Sequence, residues 1–313
     1  MANKKIIGID CGATKIMAQS CIYSDESQLI YPSKFHFELK YEEYPGWDSN
    51  FKPISLSQQQ HEYSNSKIKL SNSEIKQGLV IINAIKKIIS LSRSKRIGLC
   101  FPGIKNQFGI VVMANGPRIP NLYSQIPEID TAYNDSECCV LGEWKSNIGK
   151  ITNEKNIIYI GGGTGIADGI ILKNKLIDFN SRIELKRSWE LMMDNGESIE
   201  SNLSPQNMIN NWNHKTNQKL KYLDELISLD NNSKIIDKAV NAFKILIDDR
   251  INFFKNNNAE VDAIIIGQRL GQILNENNSI FKQKLNSQTN IPIKYSSDRR
   301  LAALGAGWKK ACL

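Results

Sequence analysis

Two glycine-rich turns in this sequence have the composition of phosphate-binding sites. The first is DCGATK at residues 10–15, and the second is GGGTG at residues 161–165. Glycine lets a ligand approach the backbone N–H groups, and the threonine hydroxyl adds a further donor. The Asp10 carboxylate would hold Mg²⁺ or its waters rather than phosphate itself. A D-x-G-x-T string is by itself also an ordinary hairpin sequence, whereas the denser second array favours a functional turn.

An aspartate near the middle of the chain has the setting of a general base. Asn134 and Asp135 precede a predicted helix over residues 136–148. Either residue could simply cap that helix. Asp135 could also take a proton from a substrate hydroxyl as the hydroxyl attacks a phosphoryl group. A cap and a base are compatible within one loop.

Several other kinds of site are excluded by the pattern. The sequence has no G-x-x-x-x-G-K-[ST] string, so it has no P-loop. The first glycine turn is followed by a strand rather than a helix, which argues against a dinucleotide-binding unit. His36, His61 and His214 are scattered, so a transition-metal centre is not supported.

The elements around these motifs alternate between strands and helices, which is typical of an α/β protein. Strands are predicted at residues 5–10, 16–22, 96–101, 109–113, 156–160, 169–172, 261–267 and 291–294. Helices are predicted at residues 73–91, 136–148 and 301–308 and through most of 198–254. The order strand, glycine and threonine turn, strand occurs twice. Residues 40–72 are polar and aromatic with little periodicity, and we expect a long loop or flap there.

Length and composition describe an ordinary globular chain. It has 313 residues, of which 41% are hydrophobic and 23% charged, enough for about two domains. No apolar run of about 18 residues predicts a membrane span. The first residues, MANKKIIGID, do not resemble a signal peptide, so we expect a cytoplasmic protein.

The charge and the cysteines are less specific signals. The net charge of +8 is spread along the chain without interleaved aromatic residues, which favours solvated faces or a small anionic ligand over a nucleic acid. The six cysteines form no C-x-x-C pair and mostly lie beside apolar or small residues. We therefore expect buried, reduced thiols.

Taken in order, the motifs resemble those of the ROK family (repressors, open reading frames and kinases) of the actin-like sugar kinase superfamily. The matching blocks are IGIDCGATK at 7–15, IGLCFPG at 97–103, YNDSECCVLGE at 133–143, IGGGTGIADG at 160–169 and IIIG at 264–267. They span nearly the whole chain, so their order is more specific than any one of them.

The resemblance implies an α/β fold of two actin-like (ribonuclease H-like) lobes with a central cleft. The lobes would be residues 1–133 and 134–295, with a C-terminal helix at 296–313 packing back on the first lobe. ATP and Mg²⁺ would be the cofactors, with Asp10 serving the metal and Asp135 as the base. The residues implied to bind the nucleotide are Asp10, Gly12, Thr14, Lys15, Gly163, Thr164, Gly165 and Gly267.

The sugar side departs from the family pattern. Many members carry a Glu-x-Gly-His motif followed by a cysteine cluster that binds zinc, but residues 182–190 here have neither histidine nor cysteine. We therefore expect no structural zinc. Glu184 or Glu190 could substitute as a sugar contact, although each is as easily a surface carboxylate. Asn134 would orient the sugar. Asn115 and Arg118 could also contact the substrate, and Arg118 suggests an acidic one.

These observations predict an ATP-dependent kinase acting on a hydroxyl of a hexose, an N-acetylhexosamine or a related sugar. One alternative is a non-catalytic sugar- or nucleotide-binding regulator of the same family. Its repressors carry a DNA-binding segment before the first phosphate motif, and that motif starts within ten residues of Met1 here. A further alternative is an actin-like phosphotransferase acting on a carboxylate or a polyphosphate. We expect a small-molecule partner and no nucleic acid or membrane; the resemblance leaves homodimerisation open.

Overall fold

The computed structural model describes residues 5–182, 184–229 and 233–313. Of the segments named above, residues 1–4, Ile183 and residues 230–232 lie outside this range. The strands are β1 Lys5–Cys11, β2 Lys15–Ser24, β3 Leu29–Lys40, β4 Ile97–Phe101, β5 Ile104–Lys105, β6 Ile110–Val112, β7 Ala132–Asn134, β8 Ile157–Gly162, β9 Ile166–Leu172, β10 Lys175–Leu176, β11 Ala263–Gly267 and β12 Ile293–Tyr295.

The helices come mainly between and after the strands. They are α1 Leu56–Ser64, α2 Asn72–Ser92, α3 Leu122–Gln125, α4 Asp135–Lys145, α5 Ile199–Leu203, α6 Pro205–Thr216, α7 Leu223–Ile227, α8 Ser233–Asn256, α9 Gln268–Glu276, α10 Ile280–Asn286 and α11 Leu301–Ala311. Short 3₁₀ turns lie at Tyr41–Glu43 and Phe179–Ser181. The α/β alternation predicted from the sequence is confirmed.

The chain divides into two compact units. Unit 1 comprises Met1–Ile148 and Arg300–Leu313, and unit 2 comprises Gly149–Arg299. The division therefore falls after α4 rather than at the expected 133/134, because α4 packs on α11 within unit 1. Their backbones touch: a Cβ on Gly305 would lie 1.9 Å from the carbonyl oxygen of Cys138.

The sheet of unit 1 has the strand order β3-β2-β1-β4-β7. The first three strands run antiparallel as a meander, whereas β4 and β7 join β1 in parallel. In this register Asp10 lies beside Cys100, and Cys100 lies beside Tyr133. The carboxyl ends of three parallel strands therefore meet at one edge of the sheet, the usual place for ligands in α/β folds.

The sheet of unit 2 repeats this topology with the order β10-β9-β8-β11-β12. Again three antiparallel strands lead, and two parallel strands follow. Gly267 at the end of β11 pairs with Gly161 on β8. The core of unit 2 packs the apolar face of α8, including Phe243, Leu246 and Ile247, against the sheet.

Helix α11 packs unusually close to the sheet of unit 1, because glycine removes the side chains from the contact. A Cβ on Gly8 would lie 1.8 Å from the Ala303 carbonyl oxygen, and one on Gly98 would lie 2.1 Å from that of Ala306. No side-chain adjustment can relieve contacts of this kind, because the backbone itself blocks the position. The structure thus places α11 on β1 and β4.

The segment 40–72 differs from the loop expected there. It contains a 3₁₀ turn and α1, which Ser55 caps by accepting a hydrogen bond from the Gln58 N–H. Gln59 on α1 is fully buried: its side chain accepts from the Met113 N–H at 2.7 Å and donates to the Ile54 carbonyl at 2.8 Å. A few such contacts order a segment whose sequence lacks helical periodicity.

The cysteines largely follow the sequence-based expectation. Five are free and buried, and Cys312 is free but exposed. Within the described ranges, no helix is long and apolar enough to cross a bilayer.

Candidate active site

Asp10 lies where two parallel strands of unit 1, β1 and β4, end. The Cys100 thiol at the end of β4 donates a hydrogen bond to Asp10 Oδ1 at 3.5 Å. Burial raises the pKa of the Cys100 thiol, and its contacts with Cys138 and Asp10 raise it further, so the thiol stays protonated and acts as a donor. Asp10 is thereby held, half-buried, at the edge where β1 and β4 end.

Asp135 is the first residue of α4, directly after β7. Asn134 caps the helix: its Oδ1 accepts hydrogen bonds from the Ser136 N–H at 3.0 Å and from the Ser136 hydroxyl at 2.7 Å. The capping role proposed for this dipeptide thus belongs to Asn134. Asp135 is half-buried, and no hydrogen bond in the described part of the chain uses its carboxylate. The carboxylate is therefore available to accept a proton.

The first glycine turn, between β1 and β2, is open to solvent on its side-chain face. The Gly12 N–H donates to the Lys15 carbonyl at 3.0 Å, and Thr14 is exposed. A Cβ on Gly12 would meet only the Lys15 carbonyl oxygen, at 3.4 Å. Lys15, expected to reach the nucleotide, pairs with Glu38 on β3 at 2.7 Å.

Lys105 lies in the same unit and was not singled out from the sequence. It follows the Pro-Gly turn after β4, where Gly103 has φ +84°, and a bulge between Ile104 and Lys105 interrupts the pairing of β5 with β6. Its Nζ is buried and has no hydrogen-bond partner among the described residues. Burial lowers the pKa of this ammonium, while the negative charge of Asp135 raises it in part. No local sequence signal marks such a residue.

Arg118 does not have the substrate-binding role expected from the sequence. It is 1% exposed, and its guanidinium donates to both carboxylate oxygens of Glu74, to Glu62 at 2.6 Å and to the Lys69 carbonyl. This expectation is corrected, because a guanidinium held by two carboxylates in the interior is not available to a ligand. Asn115 is exposed on the loop before it.

The second glycine turn, in unit 2, is partly occupied by a carboxylate. The Gly163 N–H donates across the turn to the Gly165 carbonyl at 2.9 Å. The N–H of Ile166 donates to Glu200 Oε2 at 2.8 Å, and this oxygen lies 2.7 Å from where a Cβ on Gly165 would be. Glu200, on α5, was missed because it lies 34 residues away in sequence. The turn thus already binds one anionic group.

The turn after β11 also requires glycine. A Cβ on Gly267 would lie 2.6 Å from the Tyr159 hydroxyl and 2.8 Å from its ring. The next residue, Gln268, has φ +55°, a left-handed conformation that non-glycine residues rarely adopt. Such strain concentrates at functional positions. Helix α9 begins here, so its first N–H groups point toward this turn.

The two glutamates expected to replace the missing sugar motif lie on the surface of unit 2. Glu184 is exposed and pairs with Arg182 at 3.4 Å. Glu190 is exposed and accepts a hydrogen bond from the Arg187 N–H at 2.7 Å. Neither contact involves a residue of the glycine turns.

Unit 2 contains another buried charge that the sequence did not reveal. Arg250 on α8 pairs with Asp168 on β9 at 2.5 Å and donates to the Lys186 carbonyl. Both side chains are at most 5% exposed. The pair therefore anchors β9, the strand that leaves the second glycine turn, to the long helix.

The chemistry of Asp10 suits Mg²⁺ rather than a transition metal. No group of three or more histidine, cysteine or acidic side chains that could hold a metal is found among residues 5–182, 184–229 and 233–313. Mg²⁺ bound to a nucleotide does not require such a group, because it is commonly held by one or two carboxylates, waters and phosphates. A half-buried carboxylate at a strand end meets that requirement.

The relatives of this chain are visible in structure rather than in sequence. No protein-family model matches the chain, and no curated protein sequence matches it significantly. Solved structures match nearly all of it. An inorganic polyphosphate/ATP-glucomannokinase from Arthrobacter sp. strain KM is 15% identical, with 99% of each chain covered and a TM-score of 0.62.

Two further structures extend the comparison. A ROK-family glucokinase from Streptomyces griseus, in complex with glucose and AMPPNP, is 15% identical over 97% of this chain and 98% of its own, with a TM-score of 0.56. A ROK-family transcriptional regulator, homologous to the MLC protein of E. coli, is 12% identical over 98% of this chain and 78% of its own, with a TM-score of 0.56. The chain therefore has the actin-like α/β fold of the ROK-family sugar kinases, as its motifs predict.

Proposed function

We propose that this protein is an ATP-dependent kinase that phosphorylates a hydroxyl of a sugar or sugar derivative, of the hexose or N-acetylhexosamine class. The likeness to a glucokinase with glucose and AMPPNP, and to a polyphosphate/ATP-glucomannokinase, supports the reaction type and the donor. Both are similar in fold only, so the acceptor is proposed as a class.

The observation that carries the proposal is the position of Asp135. It stands at the end of β7, beside the ends of β4 and β1, with its carboxylate free of hydrogen bonds within the described residues. A carboxylate that only capped a helix would be expected to use its oxygens on the first N–H groups, and here Asn134 does that instead. Asp135 is thus left for general-base chemistry.

In the proposed reaction the acceptor hydroxyl gives its proton to Asp135 as its oxygen attacks the γ-phosphorus of ATP. The backbone N–H groups of Thr164 and Gly165 would donate to the nucleotide, and the absence of side chains at Gly163 and Gly267 would let it approach the backbone. Asp10 would hold Mg²⁺, which when bound offsets the charge of the phosphates. In unit 1 the absence of a side chain at Gly12 would let the phosphates approach the turn, and the Thr14 hydroxyl would provide a further donor.

A second candidate function is a regulator that binds a sugar or nucleotide without catalysis. The match to a ROK-family transcriptional regulator favours it, as does the loss of Arg118 as a substrate contact. The two candidates differ in turnover rather than in ligand binding.

The test is a coupled ADP-release assay over hexoses, N-acetylhexosamines and acidic sugars, run beside a calorimetric titration with ATP and Mg²⁺. We expect ATP binding and acceptor-dependent ADP release with at least one neutral sugar. ATP binding without turnover on any acceptor would favour the regulator. Turnover on a carboxylate or on polyphosphate alone would replace the sugar by another acceptor class.

A further inference from the structure

Lys105 is a charged group that the reaction as described does not use. A β-bulge usually re-aims the side chain next to it and is common near active sites, and the bulge at Ile104 and Lys105 precedes an ammonium whose Nζ is buried. Asn106 stabilises the turn that follows, since its Oδ1 accepts from the N–H groups of Phe108 and Gly109. The backbone thus holds Lys105 in place from both sides.

None of the charged groups that act on the Lys105 ammonium forms a hydrogen bond with it in the described part of the chain. The acidic and thiol groups whose charges act on Lys105 are Asp135, Cys100, Cys138 and Glu137. Glu137 forms an ion pair with Lys309, and the Cys100 thiol donates to Asp10. An ammonium that is buried without hydrogen bonds destabilises the fold unless a ligand compensates it.

We propose that the Lys105 ammonium binds the phosphoryl group as it passes to the acceptor hydroxyl, which would make Lys105 a second catalytic residue. The inference rests on the proposed kinase function and adds to it a residue that contacts the transferred group. Cationic side chains stabilise phosphoryl transfer by binding the equatorial oxygens, where negative charge is concentrated in the transition state.

The change of charge at Asp135 during the step explains why Lys105 would turn to the phosphoryl group. The acceptor O–H bond breaks and its proton goes to Asp135, while a bond forms between the acceptor oxygen and the γ-phosphorus. The bond from that phosphorus to the bridging oxygen breaks, and its electron pair leaves with ADP. Asp135 becomes neutral in this step, so the attraction between Lys105 and its carboxylate ends as the phosphoryl oxygens arrive.

Lys105→Met removes the charge and keeps most of the side-chain volume. We expect kcat to fall about 100-fold, with KM for the acceptor changed less than about threefold. Lys105→Arg should recover at least tenfold of that loss. Lys40→Met, at an exposed lysine of the same unit, is the matched control and should leave kcat unchanged.

Thermal unfolding separates this role from a structural one. Replacing a buried ammonium that forms no hydrogen bond in the described part of the chain by an apolar side chain should keep or raise the Tm. A fall in Tm together with a proportional loss of all activities would assign Lys105 to folding and overturn the inference. Full kcat in Lys105→Met would overturn it as well, while leaving the proposed kinase intact.

A second measurement does not depend on turnover. Inorganic phosphate, titrated by calorimetry in the presence of Mg²⁺, should bind the wild-type protein at least tenfold more tightly than Lys105→Met. If the wild type phosphorylates no acceptor, the kinase proposal fails, and this difference still decides whether Lys105 binds a phosphate group. Equal affinities for phosphate would then overturn the inference.

Discussion

The two sheets share one strand order but end in different chemistry. In unit 1 the parallel strands end in acidic residues, Asp10 on β1 and Asp135 after β7. In unit 2 two of the parallel strands end in glycines, Gly161 and Gly162 on β8, the counterpart of β1, and Gly267 on β11, the counterpart of β4. One topology therefore presents carboxylates in the first unit and bare backbone in the second.

This difference matches what each partner in the proposed phosphoryl transfer would require. A hydroxyl nucleophile needs a base, which only a side chain can supply. A polyphosphate needs several N–H donors at close range, which a Cβ would obstruct. In the proposed reaction the repeated sheet would serve two roles because the residues at its ends differ, not because its strands do.

The glycine turns after β1 and after β8 also differ in the side chains that lie against them. The turn at Gly12 has no foreign side chain against it, whereas the turn at Gly165 already holds the Glu200 carboxylate. A phosphate that approaches the second turn would meet this negative charge. The second turn is therefore the one at which a carboxylate already accepts a backbone N–H, that of Ile166.

The largest expected effect comes from removing the carboxylate in unit 1. Asp135→Asn should lower kcat about 1,000-fold, because an amide cannot accept the acceptor's proton. ATP affinity, measured by calorimetry, should stay within about twofold. Asp25→Asn, at an exposed residue after β2, should keep full activity. Full activity in Asp135→Asn would mean that the sheet of unit 1 does not supply the base, and the proposed contrast with unit 2 would fail.

Adding a methyl group to a glycine turn of unit 2 should weaken nucleotide binding, whereas Asp135→Asn slows the chemical step. Gly267→Ala places a Cβ 2.6 Å from the Tyr159 hydroxyl, so the ring or the turn must shift. We expect KM for ATP to rise on the order of 30-fold, the effect of losing well-aligned backbone contacts, while KM for the acceptor changes little. A rise in the acceptor KM alone would show that the turn serves the sugar instead.

A smaller effect should follow from neutralising the Glu200 carboxylate at the second glycine turn. Glu200→Gln keeps an oxygen that can accept the Ile166 N–H but removes the negative charge. We expect KM for ATP to fall about fivefold, because one repulsion with the phosphates disappears. Glu197→Gln, at an exposed residue on the same stretch, is the control. Weaker ATP binding in Glu200→Gln would mean that Glu200 stabilises the turn rather than repelling the phosphates.

The smallest effect concerns the last strand of each sheet, which leads to Asp135 in unit 1 but has a structural ion pair in unit 2. Lys294 on β12 pairs with Glu154. Burial alone would raise the pKa of Glu154, but hydrogen bonds from Lys294 and from backbone N–H groups lower it to about 2.

A lowered pKa in the folded state stabilises the protein above the ordinary value of 4.5, and this contribution is lost as the pH falls from there toward 2. Lys294→Met should therefore lower the free energy of unfolding by about 0.5 kcal/mol at pH 7, a value reduced for partial exposure. The difference from wild type should vanish near pH 2 in thermal melts. A constant difference at all pH values would point to lost packing instead.

The sequence was sufficient wherever the signal was local. Alternating β-branched residues and glycines mark β1 with its turn, and β8 with its turn. The cap and periodicity of α2 are equally local: Ser71 accepts a hydrogen bond from the Glu74 N–H, three residues along the chain. Asp135 could be proposed because it combines a helix start with a recognisable motif.

The sequence was insufficient where a residue depends on distant partners. Arg118 looked like a substrate contact until the structure paired it with Glu74, 44 residues away. The carboxylate of Glu200 and the ammonium of Lys105 carry no local pattern, because a bulge and a through-space contact define them. Long-range ion pairs and buried charges therefore decide which polar side chains are available to a ligand, and only tertiary structure shows them.

The close packing of α11 on β1 and β4 has a consequence for synthesis. Gly8 and Gly98 admit the helix backbone directly, so α11 itself covers that face of the sheet. Residues 149–299 are translated between the two parts of this unit. Unit 2, whose contacts are contiguous in sequence, can fold on the ribosome first, although it is encoded second. A nascent chain that ends before residue 301 exposes the apolar face of β1 and β4 that α11 covers, and we expect such a chain to bind chaperones.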